Sequence, residues 1–179
     1  MSYSDDLEKG ILAENIIEEM INDERGFYCI KYVSYDENGN VTWQNVDTRY
    51  GKIRHPDFNV YSSESNEFVL LVEVKSLAKE YKNKFGYIED LEKNDKDSFL
   101  VAEKVKIDDY VLVQSHYETE CKVVFVIGGD DEEKRFYWDT LDNLRNNYIA
   151  VGRPYGKNSP LCYLWSISDV WSGLNGLIK

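Results

Sequence analysis

Cysteine, histidine and positive charge are all scarce in this chain of 179 residues. The three cysteines (Cys29, Cys121 and Cys162) are odd in number, far apart and set among apolar neighbours, which argues against a disulfide framework. Two histidines and the absence of any CxxC leave no zinc motif. No apolar run approaches the roughly 20 residues needed to span a bilayer. The opening Met1-Ser2-Tyr3-Ser4-Asp5-Asp6 is acidic and lacks the apolar core of a signal peptide. Internal repeats and low-complexity linkers are missing as well. The expectation is a soluble, cytoplasmic protein with no membrane partner.

The bulk composition is that of an ordinary globular protein, with 42% hydrophobic and 30% charged residues, so wholesale disorder is excluded. The length suits one domain with a real core and is short for two. We expect a single domain over residues 1–179, with a core of about 5–127 and a C-terminal extension of about 128–179 packed on it.

The shortage of bases gives a net charge of −12, against the usual demand of nucleic-acid binding for a basic surface. The acid is unevenly spread. Residues 1–24 hold eight acids against one lysine, and residues 118–142 hold eight against three bases. Arg49, Lys52 and Arg54 are uninterrupted by acid, whereas Lys75, Lys79, Lys82 and Lys84 face only Glu80. These two stretches read either as a local positive rim for DNA or as solvated loop charges.

Hydrophobic periodicity predicts a first helix over about 5–22, with Leu7, Ile11, Leu12, Ile16, Ile17, Met20 and Ile21 at helical spacing and Gly26 as its stop. Residues 27–35 read as a strand, Asn38-Gly39 as a tight turn, and 41–46 as the returning strand. A short strand over 55–61 and a polar turn over 62–66 lead to EFVLLVEVK (67–75), the clearest buried strand. Residues 76–96 are polar and lysine-rich, and a mobile flap is expected there. A second helix is predicted over about 97–117, then a strand over 122–127. A strand over 136–138, a helix over 140–147 and a strand over 161–165 with a Ser-capped turn complete an α/β plan. The acidic run Gly129 to Glu133 lacks calcium-loop spacing and reads as a solvated turn. The fourteen tyrosines recur in strand patterns, so core packing is preferred over base stacking. Trp138, Tyr163, Trp165 and Trp171 are assigned to packing the C-terminal region or a partner subunit.

Asp57, Glu73 and Lys75 carry the chemistry. Pro56 restricts the backbone just before Asp57. Glu73 and Lys75 are two apart in a strand and leave on one face, opposite Val72 and Val74. Charges inside an apolar strand are costly unless paired or bound to something. The short polar turn lets the two strands pair and bring Asp57 beside Glu73. Converging carboxylates need a cation between them, and magnesium suits hard oxygen donors. Such a site supports phosphodiester hydrolysis, with Lys75 orienting the attacking water or stabilising growing charge. Taken alone, Glu73 and Lys75 also fit a cross-strand salt pair on a solvated face.

Pro56-Asp57, fifteen intervening residues, and then Glu73-Val74-Lys75 closing an apolar strand resemble the PD-(D/E)XK nucleases. The resemblance covers roughly residues 5–127 in element order. It implies a restriction-endonuclease-like α/β core, a central mixed sheet flanked by helices in the order α-β-β-β-α-β. It further implies a Mg²⁺- or Mn²⁺-dependent DNA nuclease, with Asp57 and Glu73 as metal ligands, Lys75 as the catalytic lysine and the Val74 carbonyl as a further ligand. Several branches draw a glutamate from the first helix within Gly-x-x-x-Glu, which Gly10 to Glu14 matches; Glu14 is preferred over Glu18. A solvated i,i+4 acid pair is the alternative there. Gln114-Ser115-His116-Tyr117 resembles the Gln-x-x-Tyr element that lines the exonuclease branch's site, with local capping as the alternative. Asp108-Asp109-Tyr110 is read as helix surface and core. A homodimer, or a protein partner that supplies DNA affinity, is left open. So are two competing functions: a nuclease-fold protein that binds DNA or protein without cutting, and an interaction module whose acidic faces meet a basic partner.

Overall fold

The computed structural model describes residues 3–32, 34–35, 38, 41–42, 45–49, 51–83, 87–88, 91, 97–128 and 133–178. Helix α1 (Tyr3–Asp23) opens the chain. Ala13, Ile17 and Ile21 recur every fourth residue, stack along one face and are buried. Leu12, expected in the apolar stripe, is instead 45% exposed, because the buried face is centred on Ala13 and Ile17. Gly26 adopts φ 96°, a left-handed backbone that glycine takes without a Cβ clash, and turns the chain into β1 (Phe27–Lys31).

Two short hairpins follow. β2 (Ser34–Tyr35) pairs with β3 (Val41–Thr42), and β4 (Asn45–Thr48) with β5 (Gly51–Arg54). β6 (Phe58–Ser62) returns to lie antiparallel to β1, and β7 (Phe68–Leu77) lies antiparallel to β6. The chain crosses by β8 (Phe99–Glu103) and α2 (Lys104–Tyr117) to β9 (Cys121–Ile127), which runs parallel to β7. A parallel neighbour requires a crossover of this kind, since no tight turn can join such strands. β10 (Arg135–Thr140), α3 (Leu141–Asn146), β11 (Ala150–Gly152), β12 (Cys162–Ser166) and β13 (Trp171–Ser172) complete the order. The α3 N-terminus is capped by Thr140, whose hydroxyl accepts from the Asn143 N–H at 3.3 Å.

The main sheet runs β1-β6-β7-β9-β10-β13. One face, with Phe58, Val60, Val72, Val74, Val124 and Val126, packs on α1. The other, with Leu71, Val123 and Phe125, packs on Ile107, Tyr110 and Val113 of α2 and on Leu141 and Leu144 of α3. β7 and β9 are thus covered on both sides, which is why their sequences are continuous apolar runs. The β4–β5 hairpin closes against α2 through Val46 and Ile53.

Three expectations change. Of the strand expected over 27–35, only Ser34–Tyr35 fold back on the expected returning strand, at Val41–Thr42. β1 instead takes β6 as its neighbour, and the residues between form two separate hairpins; most of the Asn38-Gly39 turn lies outside the described residues. The helix expected from residue 97 begins at Lys104. Residues 99–103 are a strand because both their faces are buried: Phe99 and Val101 against Ile88 and Leu164, and Leu100 and Ala102 against Tyr163 and Trp165. A short apolar run of that kind has no period that separates strand from helix. Finally, the described part of the expected flap is tied down. Tyr81 bridges to Phe99, and the buried Asn83 amide donates to the carbonyls of Ile88 (2.9 Å) and Leu91 (2.8 Å). The acidic run at 129–132 lies outside the described residues.

All three cysteines are free. Among the described residues, no helix is long and apolar enough to cross a membrane. Ile17 is fully buried where α1 meets the sheet. Ile17→Ala is therefore expected to cost about 2–5 kcal/mol, read as a lower urea midpoint with an unchanged slope.

Candidate active site

The register of β6 against β7 decides where the carboxylates meet. Phe58 pairs with Val72, so Asp57, one residue earlier, faces the Glu73–Val74 segment. Its Oδ2 accepts the Val74 N–H at 2.7 Å, and its carbonyl accepts the Tyr32 N–H at 2.6 Å. Asp57 is thereby fastened to β7 on one side and to the end of β1 on the other, and only 6% of it is exposed.

Glu73 leaves β7 on the α2 side and is 3% exposed. Its Oε1 is bonded to the Lys75 ammonium, while its Oε2 has no hydrogen-bond partner. The Lys75 ammonium also reaches the Tyr110 hydroxyl at 3.4 Å and sits 5.3 Å from the centre of that ring. This is a buried pair and not a solvated cross-strand contact. Burying two charges costs more than their attraction usually returns, and an unsatisfied buried oxygen adds about 1–3 kcal/mol. Glu14 comes from α1, where it forms an ion pair with Lys31 at 2.9 Å.

The electrostatics link these groups. Burial, then the charges of Glu73 and Glu14, push the Asp57 carboxyl well above the ordinary carboxylate range, with Lys75 and the Val74 N–H opposing them. Burial pulls the Lys75 ammonium down, but Glu73 and Asp57 outweigh it and hold its pKa above the usual lysine value. Burial first, and then Glu73 and Asp57, push the Tyr110 hydroxyl well up. Three carboxylates and two ammoniums therefore share one region. Among the described residues, no three acids, histidines or cysteines stand close enough together to hold a metal ion. Glu73 is turned to Lys75, Glu14 to Lys31, and one Asp57 oxygen to the sheet.

The other residues expected at the site lie apart from this cluster. Gln114 accepts the Cys121 N–H at 2.8 Å and donates to Asp142 at 2.8 Å, tying the end of α2 to the start of β9 and to α3. Arg49 and Lys52 are exposed on the β4–β5 hairpin, and Arg54, at its far end, lies within electrostatic reach of Asp109 and Tyr110. Lys79 is exposed beyond the end of β7, and Lys82 is half-buried. Lys84 lies outside the described residues.

Two groups at the site were not singled out by the sequence. Tyr110 was read as surface and core, yet its hydroxyl meets Lys75. Its membership in the buried Ile107, Tyr110, Val113 stripe was the available signal. His55 is 1% exposed and stacks on Tyr32 at 3.6 Å between centroids. Its Nδ1 lies 2.7 Å from the Pro56 carbonyl, which can only accept, so the proton is on Nδ1 and Nε2 is a bare acceptor with no partner. Burial holds the His55 pKa down. Its place two residues before Asp57 was the clue.

No protein-family model matches the chain, and no curated protein matches it. Among solved structures it is similar to Hjc, a Holliday junction resolvase from Archaeoglobus fulgidus, at 12% identity over 93% of each chain with a TM-score of 0.47.

Asp57 has a folded pKa above its ordinary 3.8, so its unfavourable contribution is absent below that value and grows as pH rises toward the folded pKa. With chelator present, Asp57→Asn is expected to be more stable than the parent at neutral pH, with the gain vanishing in acid. Urea unfolding at both pH values checks this. Equal stability of variant and parent at neutral pH would show that Asp57 carries no such electrostatic cost.

Proposed function

We propose that the chain is a divalent-metal-dependent nuclease that hydrolyses phosphodiester bonds of DNA, centred on Asp57, Glu73 and Lys75 with Glu14 beside them. The observation that carries this reading is the buried Glu73, one oxygen bonded to Lys75 and Oε2 without a hydrogen-bond partner, next to an Asp57 carboxyl whose pKa is raised first by burial and then by the neighbouring acids. A structural ion pair has no use for the bare oxygen or the second carboxylate. The resemblance of Pro56-Asp57 and Glu73-Val74-Lys75 to the PD-(D/E)XK nucleases supports the choice of DNA. So does the order α1, β1, β6, β7, α2, β9, which is α-β-β-β-α-β once the two hairpins and β8 are set aside as insertions.

By type the donors suit magnesium or manganese, being hard carboxylate oxygens with Glu73 Oε2 unpartnered, but only the pair Asp57 and Glu73 is offered as it stands, and Glu14 would join only by leaving Lys31. Asp57 and Glu73 would hold it, with the Val74 carbonyl and Glu14 as further ligands. The chemistry such an ion supplies when bound is Lewis-acid polarisation of the scissile phosphate and acidification of water. Lys75 keeps its proton at neutral pH, since Glu73 and Asp57 favour the ammonium. Its role is therefore to donate hydrogen bonds and to stabilise negative charge growing on the phosphate, not to abstract a proton. Tyr110 holds that ammonium in place. Val74, by donating to Asp57, fixes which Asp57 oxygen remains for other partners. Arg54 and Lys79 stand at the edges as the positive rim for the strand. A homodimer that cuts both strands is compatible with this chemistry.

A second reading, DNA or protein binding without cutting, is favoured by the net charge of −12 and by the lysines that close off Glu14 and Glu73.

Metal-dependent cutting of linear, supercoiled, single-stranded or branched DNA is expected, with loss of about 100-fold or more in Lys75→Ala. RNA completes the panel. Metal at ten times its Kd is expected to add about 1.4 kcal/mol of stability, and Asp57→Asn is expected to abolish that response. Metal binding without cutting on any substrate would favour the second reading, and neither binding nor cutting would remove the nuclease reading. Cutting is further expected to fall steeply with salt and to weaken in Arg54→Glu and Lys79→Glu. Unchanged activity in both variants would remove the basic rim.

A further inference from the structure

A continuous series of rings crosses the open end of the main sheet on its α2 side. Tyr28 on β1 stacks on Tyr61 of β6 at 5.3 Å, and Tyr61 meets Phe68 of β7 at 5.6 Å. Phe68 meets Tyr117 at the end of α2 at 5.4 Å, and Tyr117 meets His55 at 5.5 Å. Tyr32 then covers His55. The four tyrosines and Phe68 are half-buried, and Ile30, between Tyr28 and Tyr32 on the same side of β1, is 51% exposed.

This face runs into the carboxylate–lysine cluster. The Tyr32 N–H is bonded to the Asp57 carbonyl, and Asn59, opposite Ile30 in the register, is two residues beyond Asp57 on the same strand. The margin is acidic, with Glu64, Glu67, Glu118 and Glu120 exposed. Phosphates are therefore repelled from this face, whereas flat aromatic groups suit its rings. Bases laid on the rings would keep their phosphates on the solvent side. Stacking is indifferent to sequence and to net charge, since every base has a π-face.

We infer that this aromatic face receives the unpaired bases of single-stranded DNA and leads the strand to Asp57 and Glu73. The inference rests on the nuclease reading and assigns its substrate class: a single-stranded tail, a frayed end or an unpaired branch. It also accounts for how so acidic a chain could hold DNA, with stacking replacing part of the affinity that basic proteins take from phosphates.

The test needs neither metal nor cutting. Fluorescence anisotropy in chelator would compare a short oligodeoxythymidine with an abasic strand of the same length, at low and at high salt. The base-bearing strand is expected to bind at least about tenfold more tightly, and that advantage is expected to survive high salt, where phosphate contacts are screened. Tyr28→Ser and Tyr61→Ser are each expected to remove most of the advantage, and Tyr61→Phe to keep it; a melting curve on each variant confirms that it is folded. Equal binding of the two strands, or no binding of either, overturns the inference. So does a homodimer in sedimentation that Tyr28→Ser dissociates while base-dependent binding is absent, since the face would then belong to a second copy. Base-dependent binding by a protein that cuts nothing under any metal would sink the nuclease reading and leave this binding face standing, whereas cutting without base-dependent binding would do the reverse.

Discussion

β7 lies between two buried layers, α1 on one side and α2 on the other, so any polar group it carries must be compensated inside the protein. Val72 and Val74 meet this demand by being apolar, and they face α1. Glu73 and Lys75 do not, and they face α2. The consequences spread outward from that strand. Lys75 is drawn to Glu73, Tyr110 is placed against Lys75, and Asp57 takes the Val74 N–H at the point where β6 begins. The cluster exists because two charged residues at alternate positions interrupt an apolar run inside the sheet.

The same enclosure makes the cluster electrostatically tense. In water, Asp57, Glu73 and Glu14 would ionise with little mutual effect. Within the fold, burial and then nearby acids raise Asp57, while Glu73 and Asp57 keep Lys75 charged against the effect of burial. On the proposed reading, Asp57 and Glu73 would share a cation. Lys31 and Lys75 occupy part of that role, which is consistent with acids facing lysines instead of one another.

The net charge and the ring series belong together. An acidic chain that handles DNA gains little from long-range attraction. The rings beside Asp57 offer a contact that does not depend on charge, and the few bases sit at the margins, on the β4–β5 hairpin and beyond β7. On the proposed reading, recognition and chemistry divide between an aromatic face and a charged cluster that meet at residues 55–59.

Much of this was legible in the chain. EFVLLVEVK announced a strand buried on both sides, because no polar alternation interrupts it before Glu73. The Pro-Asp dipeptide and Glu-x-Lys spacing marked Asp57, Glu73 and Lys75, because side-chain direction in a strand follows a period of two. Helix α1 and the short helix α3 were readable from local chemistry. The neighbours of β1, the nature of residues 99–103 and the surroundings of Gln114 were not. Each depends on partners far along the chain: β6 for β1, β12 for β8, and Cys121 with Asp142 for Gln114. Tyr110 and His55 joined the cluster for the same reason, since a helix and a loop bring them to β7 from different parts of the sequence. Local pattern determined which residues carry charge and which face of a strand they occupy. Tertiary packing alone decided which of those charges are buried together, because burial is a property of neighbours that the sequence order does not hold.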